Sequence, residues 1–176
     1  MKASPAPTWG MVPAHPVRPK PVQSVHPKAV RLWRIEATLR MVVLGLLALL
    51  GTASLVMLTP VGMVPAALTL VVFTAYALAQ IGFVPQIRYR HWRYQVDAQE
   101  LDIQFGVFVV RRSLIPLVRV QHVDTVQGPL SKQFGLSSVT VSTAAGSHVI
   151  PGLSDEAADQ LRDHISALAR VARESV

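Results

Sequence analysis

The amino-acid sequence predicts two membrane-spanning helices followed by a small α+β domain, a bent antiparallel sheet of six or seven strands capped by one C-terminal helix. Three observations lead to this fold class. Residues 41–87 contain no Lys, Arg, Asp or Glu, and this stretch is too long for one buried core helix. From residue 92 onward, apolar and polar residues alternate with the period of two that is typical of strands. Residues 154–173 instead repeat apolar side chains at helical spacing.

Composition and charge exclude several classes of function for the protein. Of the 176 residues, 51% are hydrophobic and 15% are charged, against about 25% charged in an average soluble domain. The chain has no cysteine, which excludes disulfides, thiolate metal sites and a cysteine nucleophile. Residues 1–40 hold seven bases and one acid, whereas residues 88–176 hold ten bases and nine acids. Because a nucleic-acid-binding protein clusters its bases on the folded part, no nucleic-acid partner is expected.

The N-terminal 27 residues are predicted to be a disordered, Pro-rich basic tail. They contain seven of the thirteen prolines, and such closely spaced prolines prevent helices and central strands while favouring polyproline II. Residues 28–40 are predicted to form an interfacial helix at the membrane surface, because Val30, Trp33 and Ala37 fall on one side of it.

Residues 41–85 are predicted to form a transmembrane helical hairpin. Pro60 and Pro65 divide the apolar stretch into spans of about residues 41–59 and 65–84. Each span is roughly 28–30 Å long and matches a hydrocarbon core of about 30 Å. The spans contain no Asp, Glu, Lys, Arg or His, which argues against an ion or proton pathway.

Small residues occupy one face of each predicted span. Gly45, Ala48 and Thr52 share a face of the first span, and Ala75 and Ala79 share a face of the second. Small side chains allow helices to approach closely. This pattern favours packing of the two helices against each other within one chain over oligomerisation.

Basic residues flank the outer ends of the hairpin. Seven Lys or Arg residues lie there, and the loop between the spans has none. The positive-inside rule therefore places both termini in the cytoplasm. The side chains expected at the membrane interface are Arg31, Trp33, Arg34, Arg40, Arg88, Arg90, Trp92 and Arg93.

Residues 86–176 are predicted to form the cytoplasmic domain. The first two strands flank a polar turn at residues 97–100, and the last two flank a turn at residues 144–146. Gly106 marks a bulge or tight turn, and Pro116 interrupts the third strand. The predicted strands cover residues 92–96, 101–105, a stretch within 107–115, 118–126, 138–143 and 147–151.

The final helix is predicted to begin at Ser154. A serine at this position accepts a hydrogen bond from the first turn of a helix, and Asp155 and Glu156 suit the positive end of the helix dipole. The apolar stripe that would cover the sheet comprises Ala158, Leu161, Ile165, Leu168 and Val171.

Six short motifs, in this order and joined to the two-span layout, give the chain a family resemblance. They are residues 26–34 (HPKAVRLWR), 115–123 (IPLVRVQHV), 127–130 (QGPL), 134–136 (FGL), 143–146 (TAAG) and 150–153 (IPGL). Over roughly residues 25–172 the chain resembles the bacterial PH domain-containing membrane proteins of the YdbS-like family. The resemblance implies a PH-like barrel on the cytoplasmic face of a bacterial plasma membrane. It also implies a larger membrane protein with several such domains as a partner, and no established reaction.

One turn departs from the pattern of phosphoinositide-binding PH domains, which hold phosphates with bases around the first strand–strand turn. Here residues 97–100 carry two acids and no base, which argues against such a head-group site. The remaining candidate contacts for a ligand or partner are Arg111, Arg112, Arg119 and Lys132. The alternative for all four is an ordinary solvated position on a strand face or turn.

No motif in the chain predicts an enzyme. The six histidines include no pair with the i, i+4 spacing of a zinc helix, and no glycine-rich phosphate loop is present. No serine lies in a nucleophile-elbow pattern. Catalytic residues, cofactors and a metal site are therefore not expected.

The sequence thus predicts a non-enzymatic integral membrane protein that presents a PH-like interaction domain, as an accessory or scaffold subunit in cell-envelope function. Expected partners are membrane lipids and either a larger PH-domain membrane protein or a second copy. Residues 150–153 and the open sheet edges are candidate protein contacts. Two alternatives remain: an anionic-lipid sensing module, and a small subunit of a transporter or export complex.

Overall fold

The computed structural model describes residues 21–58 and 63–174. Most of the predicted tail, and most of the predicted loop between the spans, lie outside the described residues. In chain order the elements are β1 (Gln23–Ser24), α1 (Lys28–Leu58), α2 (Met63–Gly82), α3 (Val84–His91), β2 (Arg93–Val96), β3 (Glu100–Phe105), β4 (Arg111–Pro116), a 3-10 turn (Leu117–Arg119), β5 (Val120–Val126), α4 (Pro129–Gln133), β6 (Leu136–Thr143), β7 (Gly146–Ser154) and α5 (Asp155–Glu174).

Within the described residues, two helical segments are long and apolar enough to cross a membrane: α1, and the consecutive helices α2 and α3. Helix α1 is continuous over 31 residues, so the predicted interfacial helix and the predicted first span form a single rod. At 1.5 Å per residue this rod is about 46 Å long, whereas a hydrocarbon core is about 30 Å thick. The first third of α1 therefore extends beyond the apolar layer.

The two apolar helices meet at Gly45 of α1 and Phe73 of α2. A methyl group added at Gly45 would lie 3.1 Å from Cε1 of Phe73, whereas one added at Gly51 would meet nothing within 4 Å. Ala48 and Thr52 line a cavity of about 300 Å³ beside this contact. The predicted small-residue face of α1 is thus turned toward α2.

Substitution of Gly45 by leucine is expected to destabilise the hairpin by about 1–3 kcal/mol, because the added atoms must displace Phe73. Gly51→Leu is the matched control, since it changes the same residue type on the same helix in open space, and its effect should stay within about 0.5 kcal/mol. Thermal melting of the purified protein in mild detergent, followed by circular dichroism, measures both. Equal losses in the two variants would contradict the packing described for Gly45.

The seven strands in the described part of the chain form two antiparallel sheets that together enclose the barrel core. One sheet has the order β1-β2-β3-β4, and the other has the order β5-β6-β7. The number of strands and the alternating pattern agree with the sequence prediction. The interior is filled by apolar side chains from both sheets and from α5, each at most 1% exposed: Leu101, Ile103, Leu117, Val139, Val141, Ile150 and Ile165.

Helix α5 covers the barrel and begins as predicted. The Ser154 hydroxyl accepts a hydrogen bond from the Ala157 N–H at 3.3 Å, which caps the first turn. Asp155 accepts hydrogen bonds from Ser137 and Gln127, both at 2.7 Å, and so ties the start of α5 to the neighbouring sheet. The side chains that α5 buries are Ala158, Leu161, Ile165 and Ala169.

Two details of the barrel, the exposure of Val171 and the start of the fourth strand, differ from the sequence prediction. Val171, expected on the apolar stripe of α5, is 62% exposed because the stripe follows Ala169 instead. The third strand, predicted within residues 107–115, is present as Arg111–Pro116, so residues 106–110 form a loop. The fourth strand begins at Val120, because Pro116 is followed by a 3-10 turn.

The beginning of α1 is packed into the same core as the barrel. Val25, Ala29, Leu32 and Trp33 all belong to one cluster of buried side chains with the barrel residues. The short strand β1 extends the first sheet by pairing with β2. The domain assigned from sequence to residues 86–176 therefore also draws on the residues before the first span, which join the barrel firmly to the helical hairpin.

Candidate functional site

A groove lies where the two sheets separate. It has a volume of about 660 Å³ and is lined by β4, the 3-10 turn, the start of β5, the β6–β7 turn and Arg173 of α5. Strands β4 and β5 are edge strands of their sheets. Edge strands carry backbone groups that can pair with another chain, so the groove could hold an extended segment of a partner.

The side chains around the groove are apolar and basic. Leu114 and Val118 are 47% and 40% exposed, and Arg119, His148 and Arg173 provide the nitrogen groups. Among the described residues that line the groove, none is Asp or Glu. This combination fits a segment that brings apolar side chains together with a carboxylate.

The four basic residues singled out from sequence do not form one site. Arg119 lines the groove. Arg111 is exposed at the opposite end of β4, about 17–20 Å away along a strand of this length. Lys132 is exposed on α4. A common ligand contacting all four is therefore not supported by their positions.

Arg112 is engaged within the protein. Its Nε donates to both carboxylate oxygens of Asp102, at 3.1 and 2.9 Å, and a terminal nitrogen lies 2.5 Å from Oδ2. Asp102 is 5% exposed on the adjacent strand β3. The hydrogen bond to Asp102 raises the pKa of the Arg112 guanidinium above its ordinary value. Arg112 thus has a structural role, because its head group holds a buried carboxylate, and its contact with a ligand or partner stays a prediction.

The two tryptophans expected at the membrane interface lie in the barrel core. Trp33 and Trp92 are each 6% exposed. The Arg88 guanidinium lies over the Trp33 ring, 4.3 Å from its centroid, and Trp92 stacks on Phe105 at 5.6 Å. An aromatic belt needs rings that reach the lipid interface. These rings contact protein instead, because the first third of α1 packs against the barrel.

The arginines expected at the membrane interface differ in how exposed they are and in what they contact. Arg31, Arg40 and Arg90 are exposed, and Arg34 is half-buried. Arg93 donates from one terminal nitrogen to the carbonyl oxygens of Tyr89 at 3.3 Å and of Trp92 at 2.8 Å. The exposed members remain able to contact lipid head groups, whereas Arg93 closes the connection between α3 and β2.

Residues 150–153 were predicted to contact a partner protein, but they pack against other parts of this protein. Ile150 and Leu153 are at most 2% exposed. The His26 N–H donates to the carbonyl of Gly152 at 2.8 Å. A methyl group at Gly152 would lie 2.6 Å from the Cβ atom of Ala29. This motif therefore joins β7 to the start of α1, and sequence spacing alone carries no signal for a contact between segments so far apart.

Polar clusters elsewhere are small. His122 Nε2 lies 2.8 Å from Oδ1 of Asp124 on an exposed strand face. Within residues 21–58 and 63–174, no group of three or more His, Asp or Glu side chains could hold a metal ion. The groove and the membrane-facing residues are thus the surfaces from which a function can be argued.

A two-sheet barrel capped by a C-terminal helix and joined to two apolar helices defines a membrane protein with a PH-type domain. Comparison with known proteins gives the particular family. Residues 41–169 match the bacterial PH domain family, and the chain belongs to that family. This match confirms both the resemblance and the fold class predicted from the sequence.

Two proteins of Bacillus subtilis (strain 168) are similar to the chain. The UPF0699 transmembrane protein YdbS is 39% identical over 163 residues, which cover 91% of this chain and 100% of that protein. The UPF0699 transmembrane protein YdbT is 26% identical over 83 residues, which cover 45% of this chain and 17% of that much longer protein. No solved structure matches the chain.

Proposed function

We propose that the protein is a non-enzymatic, two-span protein of the bacterial plasma membrane that acts as an accessory or scaffold subunit. The observation that carries this proposal is the rigid junction between α1 and the barrel. Ala29 and Trp33 are buried against β7, and such a packed apolar contact suppresses the relative motion that is usual between separate units. The groove is therefore held at a fixed place and orientation near the membrane.

Charge asymmetry supports a cytoplasmic barrel. Lys28, Arg31, Arg34 and Arg40 precede the first apolar stretch, and bases follow the second, whereas residues 59–64 contain no Lys or Arg. The positive-inside rule then places both ends of the chain in the cytoplasm. In this orientation the anchor raises the effective concentration of the groove near membrane partners.

The proposed partner is a larger membrane protein with a related domain. The groove between β4 and β5 offers unpaired strand edges, apolar side chains and Arg119. The likeness to part of YdbT, a far longer transmembrane protein, supports a partner of this type. A second copy of the chain is the alternative partner.

The test combines isolation from the native membrane in a gentle detergent with site-specific photo-crosslinking. A crosslinker at Val118, inside the groove, should capture a stoichiometric membrane protein. The same group at Lys132, exposed on α4, is the matched control and should not. Arg119→Glu should weaken the association about tenfold, the effect of losing roughly 1.4 kcal/mol of contact energy. Co-purification of lipid alone, with no crosslink at Val118, would refute the scaffold function.

Anionic-lipid sensing is a second candidate, favoured by the exposed side chains of Arg31, Arg40 and Arg90. Each base near an anionic surface contributes about 1 kcal/mol, and salt screens the attraction. The full chain in nanodiscs is the correct sample, because a fragment starting at residue 86 would lack Trp33 and β1. Retention of anionic lipid that falls with salt and with Arg31→Gln/Arg40→Gln would support sensing. The role as a small subunit of a transporter or export complex stays a prediction. The small-residue face of α1, through which the hairpin could contact another membrane protein, packs against α2.

A further inference from the structure

An exposed apolar loop connects β3 to β4. Phe108 is 91% exposed, Val109 is 69% exposed and Val110 is 46% exposed. Consecutive apolar side chains at this level of exposure are unusual on a water-facing surface, where large apolar side chains are normally scattered. These side chains are therefore expected to be covered by another molecule that shields them from water.

The loop has a defined shape. Gly106 adopts a φ of +137°, and a methyl group there would lie 2.0 Å from the carbonyl oxygen of Val109. Only glycine fits this close approach of the backbone to itself. The tight turn keeps Phe108 at the tip, away from the barrel core.

The strand register places the loop at the end of the sheet where the membrane helices attach. Phe105, the last residue of β3, stacks on Trp92, which directly follows α3. In the same region Ser24 pairs with Arg93, and the chain continues from Ser24 into α1. Both helical connections to the membrane thus leave from the end of the sheet that carries the loop.

Charge distinguishes the two ends of these strands. At the loop end, Arg111 is exposed directly after the apolar residues, and Arg90 is exposed on α3. At the opposite end, the turn between β2 and β3 carries Asp97 and Glu100 and no base. An apolar tip with neighbouring bases suits the interface of an anionic bilayer, while the acidic turn suits water.

We propose that residues 107–110 insert into the bilayer interface beside the hairpin and give the barrel a second, direct membrane contact. Phe108 enters the boundary between head groups and acyl chains, and Arg111 lies among the head-group phosphates. The inference rests on the membrane-spanning hairpin and is independent of the partner proposed for the groove. The loop thus adds a second point of attachment to the membrane beside the junction at Trp33.

The absence of cysteine from the chain allows a single-label experiment on the full-length protein. Phe108→Cys carries an environment-sensitive fluorophore after reconstitution into liposomes that contain anionic lipid. Ala98→Cys is the matched control, because it is exposed in the turn at the far end of the same two strands. The label at 108 should emit at shorter wavelength, be quenched by brominated lipid and resist aqueous iodide. The label at 98 should emit at longer wavelength, resist quenching by brominated lipid and be quenched by aqueous iodide.

A second variant retains the phenylalanine. Val109→Cys should report the same lipid quenching, and adding Phe108→Asp should abolish it. Iodide quenching at 108 and 109 as strong as at 98 would overturn the proposal. A blue shift without lipid quenching, which grows with the protein-to-lipid ratio, would also overturn it and identify a second copy of the chain as the occupant. Neither result would bear on crosslinking from the groove.

Discussion

Replacement of Trp33 by alanine is expected to lower the free energy of unfolding of the barrel by about 3–5 kcal/mol, the usual cost of truncating a buried aromatic side chain. The ring is 6% exposed and lies under the Arg88 guanidinium, and a methyl group added at Gly152 would lie 3.7 Å from its Cζ2 atom. Its removal takes away the largest side chain between α1 and the barrel. Pulse proteolysis across a urea series, on the full chain in mild detergent, measures the change.

Ile35→Ala is the control for this substitution. Ile35 lies two residues further along α1 and is 38% exposed, so its truncation should change the free energy of unfolding by less than about 1 kcal/mol. Similar losses for Trp33→Ala and Ile35→Ala would show that the junction does not stabilise the barrel. The rigid presentation of the groove would then lose its basis.

Gly152→Ala is expected to lower the free energy of unfolding by about 2–5 kcal/mol, because two effects act together. The residue has a φ of +68°, which costs a non-glycine residue about 1–2 kcal/mol. The new methyl group would also lie 2.6 Å from the Cβ atom of Ala29, and such overpacking typically costs about 1–3 kcal/mol. The same urea series measures the loss.

Two further variants separate backbone strain from contact. Gly135→Ala introduces a methyl group at a similar φ of +61°, where the nearest atom is Oδ2 of Asp155 at 4.0 Å, and so reports backbone strain without a close contact. Ala29→Gly added to Gly152→Ala removes the opposing Cβ atom and should recover part of the loss. If Gly135→Ala cost as much as Gly152→Ala, and Ala29→Gly gave no recovery, the close approach of α1 and β7 would be disproved.

Local sequence patterns predicted much of the fold for physical reasons. Alternating apolar residues locate strands because successive side chains face opposite sides of a sheet. The predicted hairpin around residues 97–100 and the final hairpin are both present, with Val96 opposite Leu101 and Thr143 opposite Gly146. Ser154 caps the start of α5 as predicted, because helix capping depends only on residues close in the sequence.

The missed features depend on contacts between distant segments. The pattern around Trp33 is compatible with a lipid-facing helix and with a protein-facing one, and only the approach of β7 decides between them. Strand β1 has two residues, too few for a periodic signal. The third strand was predicted only as a stretch within residues 107–115, because the composition of an apolar run at a loop tip resembles that of a buried strand and does not locate the first residue of the strand. The groove arises where two sheet edges separate, which no local pattern encodes.

Because α1 is uninterrupted from Lys28 to Leu58, it also connects the bilayer rigidly to the barrel. Transmembrane helices tilt to match the thickness of the surrounding hydrocarbon, and a rod about 46 Å long moves one end by ~8 Å relative to the other for a tilt of about 10°. The barrel is fixed to one end of this rod by Ala29, Trp33 and Gly152. A change in membrane thickness therefore becomes a displacement of the groove, with no hinge to absorb it.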